Sequence, residues 1–170
     1  MHSLKPVKKK SDIETIARLA HEIWNEHFVD IIGQSQVDYM LGHFQSVPAI
    51  TSQLETGQEY YLLESDGVPL GYLSLIADKA SKKVMISKIY LLRNARGLGL
   101  GQYLLDFVKL RCKKNKFKVI WLTVNRNNHT SIDWYQKRGF TITGEIQKDI
   151  GEGYFMDDYV MEVNPGCMTK

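Results

Sequence analysis

A run of three glycines beside an arginine is the part of the sequence best suited to chemistry: Arg96-Gly97-Leu98-Gly99-Leu100-Gly101. A strand-like apolar segment ends at Leu92, and helical periodicity begins at Gly99. The first amides of a helix lack partners within the helix and lie at the positive end of its dipole. Glycine lets an anion approach this backbone, and Arg96 adds a fixed positive charge. The run therefore predicts a site for a phosphate-bearing group.

The spacing of the glycines excludes two better-known phosphate loops. A dinucleotide site needs G-x-G-x-x-G and an acidic residue about 20 positions later. Here the spacing is G-x-G-x-G, and apolar residues predominate at 121–124, where the next strand ends. A P-loop needs Lys and then Ser or Thr after its last glycine, and Gln102-Tyr103 stand there instead. A glycine turn that only permits close packing is the alternative that the run alone leaves open.

The elements that must position this run are predicted from periodicity. Helical stripes cover residues 13–28, 37–44, 48–57, 99–114 and 127–138, and strands cover 4–7, 59–64, 70–77, 84–92, 118–124, 140–146 and 155–163. Ser11 and Glu14 have the spacing of a capping box before the first helix. Early helices, then a meander, then a strand–helix–strand unit predict an α/β (α+β) fold with a mixed sheet flanked by helices. We expect a single domain over residues 1–164 and a short tail over 165–170.

Two motifs in the right order resemble those of the GNAT superfamily of N-acetyltransferases. The stretch 88–105, KIYLLRNARGLGLGQYLL, resembles a strand followed by R/Q-x-x-G-x-G/A, which is matched by Arg96, Gly99 and Gly101. Further on, Asn128 precedes a helix that carries Tyr135 and is closed by Gly139-Phe140, as in the family. Arg93 departs from the family pattern, which usually has proline there. Because two motifs agree, the resemblance favours a coenzyme A site over a mere packing turn.

The resemblance implies a fold, a co-substrate and a set of site residues. The fold would be the GNAT fold, with about six to seven strands and a splayed parallel strand pair at the acetyl-CoA site. Acetyl would pass directly from acetyl-CoA to an amine, without a metal, and Tyr135 would be the general acid that protonates the departing thiolate. A backbone N–H near Leu91 would stabilise the oxyanion. The residues implied for acetyl-CoA are Tyr90, Leu91, Leu92, Arg96, Gly97, Leu98, Gly99, Leu100, Gly101, Gln102, Asn128, Ser131 and Tyr135.

The acceptor side is less determined by the sequence. Acids mixed with aromatic residues suit a cation, and the residues predicted to bind the acceptor are Trp24, His27, Ser87 and Asp158. Segments near Trp24 and Asp158 resemble the PaiA-type branch, which is associated with spermidine and spermine acetylation, so a polyamine or similar small amine is favoured. A peptide or protein amine, and a non-catalytic acyl-CoA-binding regulator, remain alternatives. The general base is either a water relay or a carboxylate such as Asp157 or Asp158.

Composition narrows the setting in which this chemistry would occur. The formal net charge of +3 over 170 residues is too small to indicate nucleic acid as a partner. The two cysteines, Cys112 and Cys167, match no metal-ligand spacing and favour a reducing compartment. No apolar stretch approaches the ~20 residues that span a bilayer. We therefore expect a cytoplasmic protein with a small-molecule amine as substrate, no membrane partner and a possible homodimer.

Overall fold

The computed structural model describes residues 1–169 and contains seven strands and six helices in that range. The helices are α1 (Lys10–His27), α2 (Val29–Ile32), α3 (Gln34–Phe44), α4 (Val47–Glu55), α5 (Leu100–Asn115) and α6 (His129–Gln136). The strands are β1 (His2–Pro6), β2 (Glu59–Ser65), β3 (Val68–Asp78), β4 (Lys83–Leu91), β5 (Val119–Asn125), β6 (Thr141–Gly151) and β7 (Tyr154–Val163). Lys170, the last residue of the predicted tail, lies outside the described residues.

The chain divides into two compact units, and β4 contributes to both. The first unit is Met1–Ile76 with Lys88–Leu104, and the second is Ala77–Ser87 with the residues from Leu105 onward. In the first unit β1 pairs antiparallel with β2, and β2 pairs antiparallel with β3. In the second unit β5 and β6 both pair antiparallel with β7. Hydrogen-bonded neighbours follow the order β1-β2-β3-β4-β5-β7-β6, which confirms the predicted mixed sheet of about seven strands.

The predicted parallel pair is formed by β4 and β5. Its ladder joins Lys83–Met85 to Val119–Trp121. Both strands continue beyond the ladder, β4 to Leu91 and β5 to Asn125. The divergence of the two strands stays a prediction.

The start of α1 corrects one local prediction. The capping box of Ser11 and Glu14 is wrong, because the helix begins at Lys10 and Asp12 fills the third helical position. The Asp12 carboxylate accepts from the Lys9 amide at 3.4 Å, and the Lys5 ammonium lies 2.9 Å from the same carboxylate. The hydrogen bond from Lys5 holds the pKa of Asp12 below its usual value, although burial acts against it. The ion pair between Lys5 of β1 and Asp12 therefore stabilises Asp12, instead of Glu14, as the acidic residue that caps the start of α1.

No helix among residues 1–169 is long and apolar enough to cross a membrane. In the same range, no group of three or more histidine, cysteine, aspartate or glutamate side chains is arranged to hold a metal ion.

A close approach at Gly71 sets the position of β4 in the first unit. A Cβ atom at Gly71 would lie 2.3 Å from the Tyr90 carbonyl oxygen and 2.7 Å from Leu91 Cδ2. The Leu92 amide also donates to the Leu70 carbonyl at 2.9 Å. Glycine is therefore required for β4 to reach this register beside β3.

Gly71→Ala is expected to destabilise the protein by roughly 1–3 kcal/mol, because the backbone of β4 must move to admit the methyl group. Thermal or chemical denaturation measures the change. Gly42→Ala is the control: Gly42 lies inside α3, a Cβ there would meet no atom within 4 Å, and removing a helical glycine stabilises by about 0.5–1 kcal/mol. Effects of the same sign in both variants would contradict this account of Gly71.

Candidate active site

The glycine run forms an open, left-handed loop. After β4 the chain makes a 3₁₀ turn over Arg93–Ala95, and α5 begins at Leu100. Gly97 and Gly99 both have φ of +78°, and a Cβ at either position would meet no atom within 4 Å. Backbone conformation rather than crowding therefore requires these glycines. The open space beside them, at the N-terminus of a 16-residue helix, suits an anion.

Arg96 is held at the edge of this loop. Its Nε donates to the Leu91 carbonyl at 3.1 Å, so the guanidinium is tied to the end of β4. Partial burial lowers the pKa of Arg96 from its usual value, and the nearby Glu26 carboxylate opposes that effect. The side chain is therefore positioned by the strand and can contribute charge to a phosphate site.

Gly99→Ala is expected to weaken acetyl-CoA binding roughly 5- to 30-fold, because a side chain at positive φ disfavours the binding conformation of the loop by roughly 1–2 kcal/mol. Isothermal titration calorimetry measures the dissociation constant. Gly57→Ala is a matched control, since Gly57 has φ of +94°, equally open surroundings and a place outside the loop. We expect Gly57→Ala to lose similar stability and to bind acetyl-CoA normally; equal affinities of both variants would count against a phosphate loop.

An aromatic cluster packs against the end of β4 in the first unit. The Tyr90 ring lies 5.7 Å from Trp24 and 6.0 Å from Phe28, measured between centroids. Trp24 stacks on Phe28 at 4.3 Å, and the half-buried His27 meets Phe28 edge-on at 4.8 Å. The structure thus gathers three predicted residues, Tyr90, Trp24 and His27, around Phe28. Trp24 is only 4% exposed, so its indole is mainly a wall of this cluster.

A cavity of about 300 Å³, which the sequence analysis missed, lies between α1 and the turn after β4. It is lined by Glu22, Glu26, Arg93 and Asn94. Glu22 and Glu26 are one helical turn apart and therefore share a face of α1. The four-residue spacing of the two glutamates is the only sign of this cavity in the sequence. Arg93 and Asn94, which line its other side, are brought there by tertiary packing that the sequence pattern does not show.

In the second unit, a compact turn presents Asn128. The Asn127 amide donates to the Asn125 side chain and the Asn128 amide donates to the Asn125 carbonyl, both at 2.9 Å. Asn128 then caps α6, its side-chain oxygen accepting from the Ser131 amide at 3.4 Å. Asn128 and Ser131, both predicted to bind acetyl-CoA, therefore contact each other. Asn128 also has a structural role as the cap of α6, whether or not it binds acetyl-CoA.

Tyr135 lies on the inner face of α6 in an apolar setting. It is 8% exposed, and its ring lies 5.2 Å from Trp134 and 5.4 Å from Phe140. Burial raises the pKa of Tyr135 above its usual value, so the phenol stays protonated at neutral pH. No residue in the described part of the chain accepts a hydrogen bond from its hydroxyl. The O–H group is therefore available to a bound molecule.

Asp158 and Asp157 are adjacent on β7 and have different environments. Asp158 is 7% exposed, and burial is the main cause that raises its pKa to about 6; a hydrogen bond from Thr123 opposes the shift, and the charge of Asp157 adds to it. Asp157 Oδ1 lies 2.8 Å from Arg126 Nε. Of the two candidate bases, Asp157 is engaged in an ion pair, whereas Asp158 has a pKa suited to proton transfer near neutrality. Ser87 is half-buried on β4 in this unit.

Comparisons with known proteins agree with these motifs. The family model described as the acetyltransferase (GNAT) family matches residues 17–140. The chain therefore belongs to the GNAT acetyltransferase family, whose co-substrate is acetyl-CoA.

The curated relatives match this chain over only part of their own length. An uncharacterized N-acetyltransferase in the pepI 3' region of Lactobacillus delbrueckii subsp. lactis is 32% identical over 50% of this chain and 53% of its own length. An uncharacterized N-acetyltransferase of Mycobacterium tuberculosis is 33% identical over 56% of this chain and 60% of its own length. The chain thus spans little more than half the length of these curated relatives.

Several crystal structures match over nearly the whole chain, among them the following two. The PaiA N-acetyltransferase of Thermoplasma acidophilum, in complex with coenzyme A, superposes with a TM-score of 0.78 and 19% identity over 96% of this chain and 99% of that one. The ribosomal-protein-S18-alanine N-acetyltransferase of Escherichia coli has a TM-score of 0.71 and 14% identity over 96% and 94%. At these identities the likeness establishes the GNAT fold.

Proposed function

We propose that this protein transfers acetyl from acetyl-CoA to the primary amine of a small cation of the polyamine type. The observation that carries the proposal is the buried Asp158 carboxylate, with a pKa of about 6, on the strand that the GNAT resemblance assigns to the acceptor side. A carboxylate both attracts an ammonium and can take its proton. The segments near Trp24 and Asp158 that resemble the PaiA-type branch, which is associated with polyamine acetylation, support the same acceptor class.

The donor would be held mainly by backbone. Arg96 and the backbone of 97–102 would bind the pyrophosphate, and Tyr90, Leu91, Leu92, Asn128 and Ser131 would serve the pantetheine arm. The Leu91 amide would stabilise the oxyanion that forms when the amine attacks the thioester carbonyl. Gly97 and Gly99 support this assignment through their left-handed backbone and open surroundings.

Tyr135 would act on the departing sulfur. A thiol ordinarily has a pKa near ~8.5 and a phenol near ~10, and burial raises the pKa of Tyr135 further. Complete proton transfer from the phenol to the thiolate is therefore unfavourable. A hydrogen bond donated by the phenol still stabilises the negative charge that develops as the C–S bond breaks. We accordingly refine the predicted general acid to a hydrogen-bond donor at the leaving group.

For the acceptor, Asp158 would be the base and Trp24, His27 and Ser87 would line the approach. An alkylammonium has a pKa near ~10.4, so it must lose a proton before it attacks. A carboxylate with a pKa of about 6 is ionised at neutral pH and can accept that proton directly or through water. The cytoplasmic location and the homodimer stay predictions.

A panel of acceptors tests the proposal. Thiol release from acetyl-CoA is measured with spermidine, spermine, an alanine-terminated peptide and a lysine-containing peptide. Faster release with the polyamines than with either peptide supports the proposal, and the reverse order would assign a peptide or protein acceptor. Tight acetyl-CoA binding without release for any amine would instead indicate a non-catalytic acyl-CoA-binding regulator.

A further inference from the structure

A buried lysine occupies the middle of β4 in the first unit. Lys88 is 7% exposed, and its Nζ donates to the Gln53 side-chain oxygen at 2.7 Å and to the Tyr60 hydroxyl at 2.6 Å. The same Nζ lies 5.0 Å from the centre of the Tyr60 ring. The ammonium group thus joins β4 to β2 through Tyr60 and to α4 through Gln53.

The partners of Lys88 are all uncharged. Within residues 1–169 no carboxylate forms an ion pair with its ammonium. Tyr60, the titratable group that faces it from β2, has a pKa raised by burial and is neutral; α4 presents the amide of Gln53. On β3, Tyr72 is also neutral, because burial raises its pKa and a charge on Tyr90 or Tyr60 would raise it further. A lone buried cation is unfavourable for folding, and an apolar side chain of similar length would normally be preferred.

The position of Lys88 along β4 indicates what this charge can do. It precedes Leu91 by three residues, which is about 10 Å along a strand. The ammonium lies at the end of its side chain and so is farther from the Leu91 amide than this backbone separation. At roughly 10–15 Å, and with an effective dielectric constant of about 20, a positive charge stabilises a negative charge by a factor on the order of ten. The Leu91 amide is the group assigned above to the oxyanion.

We propose that Lys88 is a positioning residue whose ammonium makes the potential at the end of β4 positive and so stabilises the oxyanion of acetyl transfer. This inference rests on the proposed function. The neutral oxygens of Gln53 and Tyr60 hold the ammonium in place and leave its charge uncompensated. A carboxylate in their place would cancel that charge.

The role has a pH signature. Burial lowers the pKa of Lys88 to about 8, so its charge is present below that pH and is lost as pH rises through it. The rate contribution of Lys88 should therefore disappear on the alkaline side. A purely structural role, by contrast, would affect the rate similarly at every pH.

The experiment compares kcat against pH for the wild type and three variants, at saturating acetyl-CoA and with spermidine or whichever amine of the panel turns over. Lys88→Met should lower kcat about tenfold at pH ~7 and equal the wild type near pH ~9.5, where the wild-type lysine is neutral. Gln53→Glu adds a carboxylate beside the ammonium and should move the alkaline decline to higher pH. Tyr60→Phe removes one acceptor and should move it to lower pH.

These outcomes separate the two proposals. If Lys88→Met is poorly folded, the opposite shifts of Gln53→Glu and Tyr60→Phe still test the role of the ammonium. Turnover with coincident pH profiles in all four proteins would overturn the role of Lys88 and leave the acetyltransferase proposal standing. Absence of turnover with every amine would overturn both.

Discussion

Tyr135→Phe is expected to lower kcat by about 100-fold and to leave the dissociation constant of acetyl-CoA nearly unchanged. The hydroxyl has no acceptor among the described residues, so its removal breaks no internal hydrogen bond. What is lost is a donor to the sulfur as negative charge develops, and removing one such donor typically costs 10²–10³ in rate. Steady-state kinetics and calorimetry measure the two quantities.

Tyr61→Phe is the matched control for this prediction. Tyr61 is also 8% exposed, but it lies on β2 and its hydroxyl donates to Glu59 at 2.6 Å. We expect its kcat to stay near that of the wild type. If Tyr135→Phe turns over as fast as Tyr61→Phe, Tyr135 is simply an aromatic residue of the α6 core.

Asp158→Asn is expected to reduce kcat/KM by about 100-fold at neutral pH, since general bases contribute roughly 10²–10⁴. In the wild type, activity should fall as pH drops through about 6, because the carboxylate becomes protonated there. The variant should lack this acid limb. A pH series of kcat/KM on both proteins tests the assignment.

The same substitution should stabilise the fold. The pKa of Asp158 is about 6 in the folded protein and near ~3.9 when unfolded, so the folded state holds its proton more tightly. The stabilisation that protonated Asp158 gives the folded state is fully present below pH ~4 and is lost as pH rises through 6. Ionised Asp158 therefore lowers the free energy of unfolding at pH 7 by up to about 3 kcal/mol. Asparagine avoids that cost, and Tm should rise at pH 7 but change little at pH 4.

Asp157→Asn separates the two neighbouring carboxylates. The negative charge of Asp157 helps raise the pKa of Asp158, so its removal should move the acid limb to lower pH while activity at neutral pH is retained. A larger loss of activity in Asp157→Asn than in Asp158→Asn would reverse the assignment of the base.

Features set by local pattern were predictable from the sequence. The glycine run and Asn128 before α6 lie where the pattern predicts them. Asp66-Gly67, a dipeptide typical of tight hairpin turns, joins the two predicted strands that became β2 and β3. Each of these features depends on the backbone conformation or the capping of a few consecutive residues. The types and spacing of those residues are therefore enough to predict it. The bounds of β4 and α5 differ from prediction by a single residue, as frayed ends allow.

Features set by distant partners were not predictable. The cap of α1 involves Asp12 instead of Ser11 because Lys5, on another element, supplies the ion pair. Likewise, nothing in the local sequence distinguishes Lys88 from an ordinary polar strand residue. Its burial depends on Gln53 and Tyr60, which lie 35 and 28 positions earlier in the chain.

The turn behind α6 has a consequence for how the chain folds. Gly139 approaches the Cys167 carbonyl so closely that a Cβ would lie 2.7 Å from it, and the Thr169 amide and hydroxyl donate to the carbonyls of Arg138 and Lys137. Thr169 and Lys137 are 32 positions apart in the sequence. Since closing such a loop costs entropy before its contacts form, we expect the turn that terminates the Tyr135 helix to be completed late. During synthesis it must wait for residue 169 to emerge.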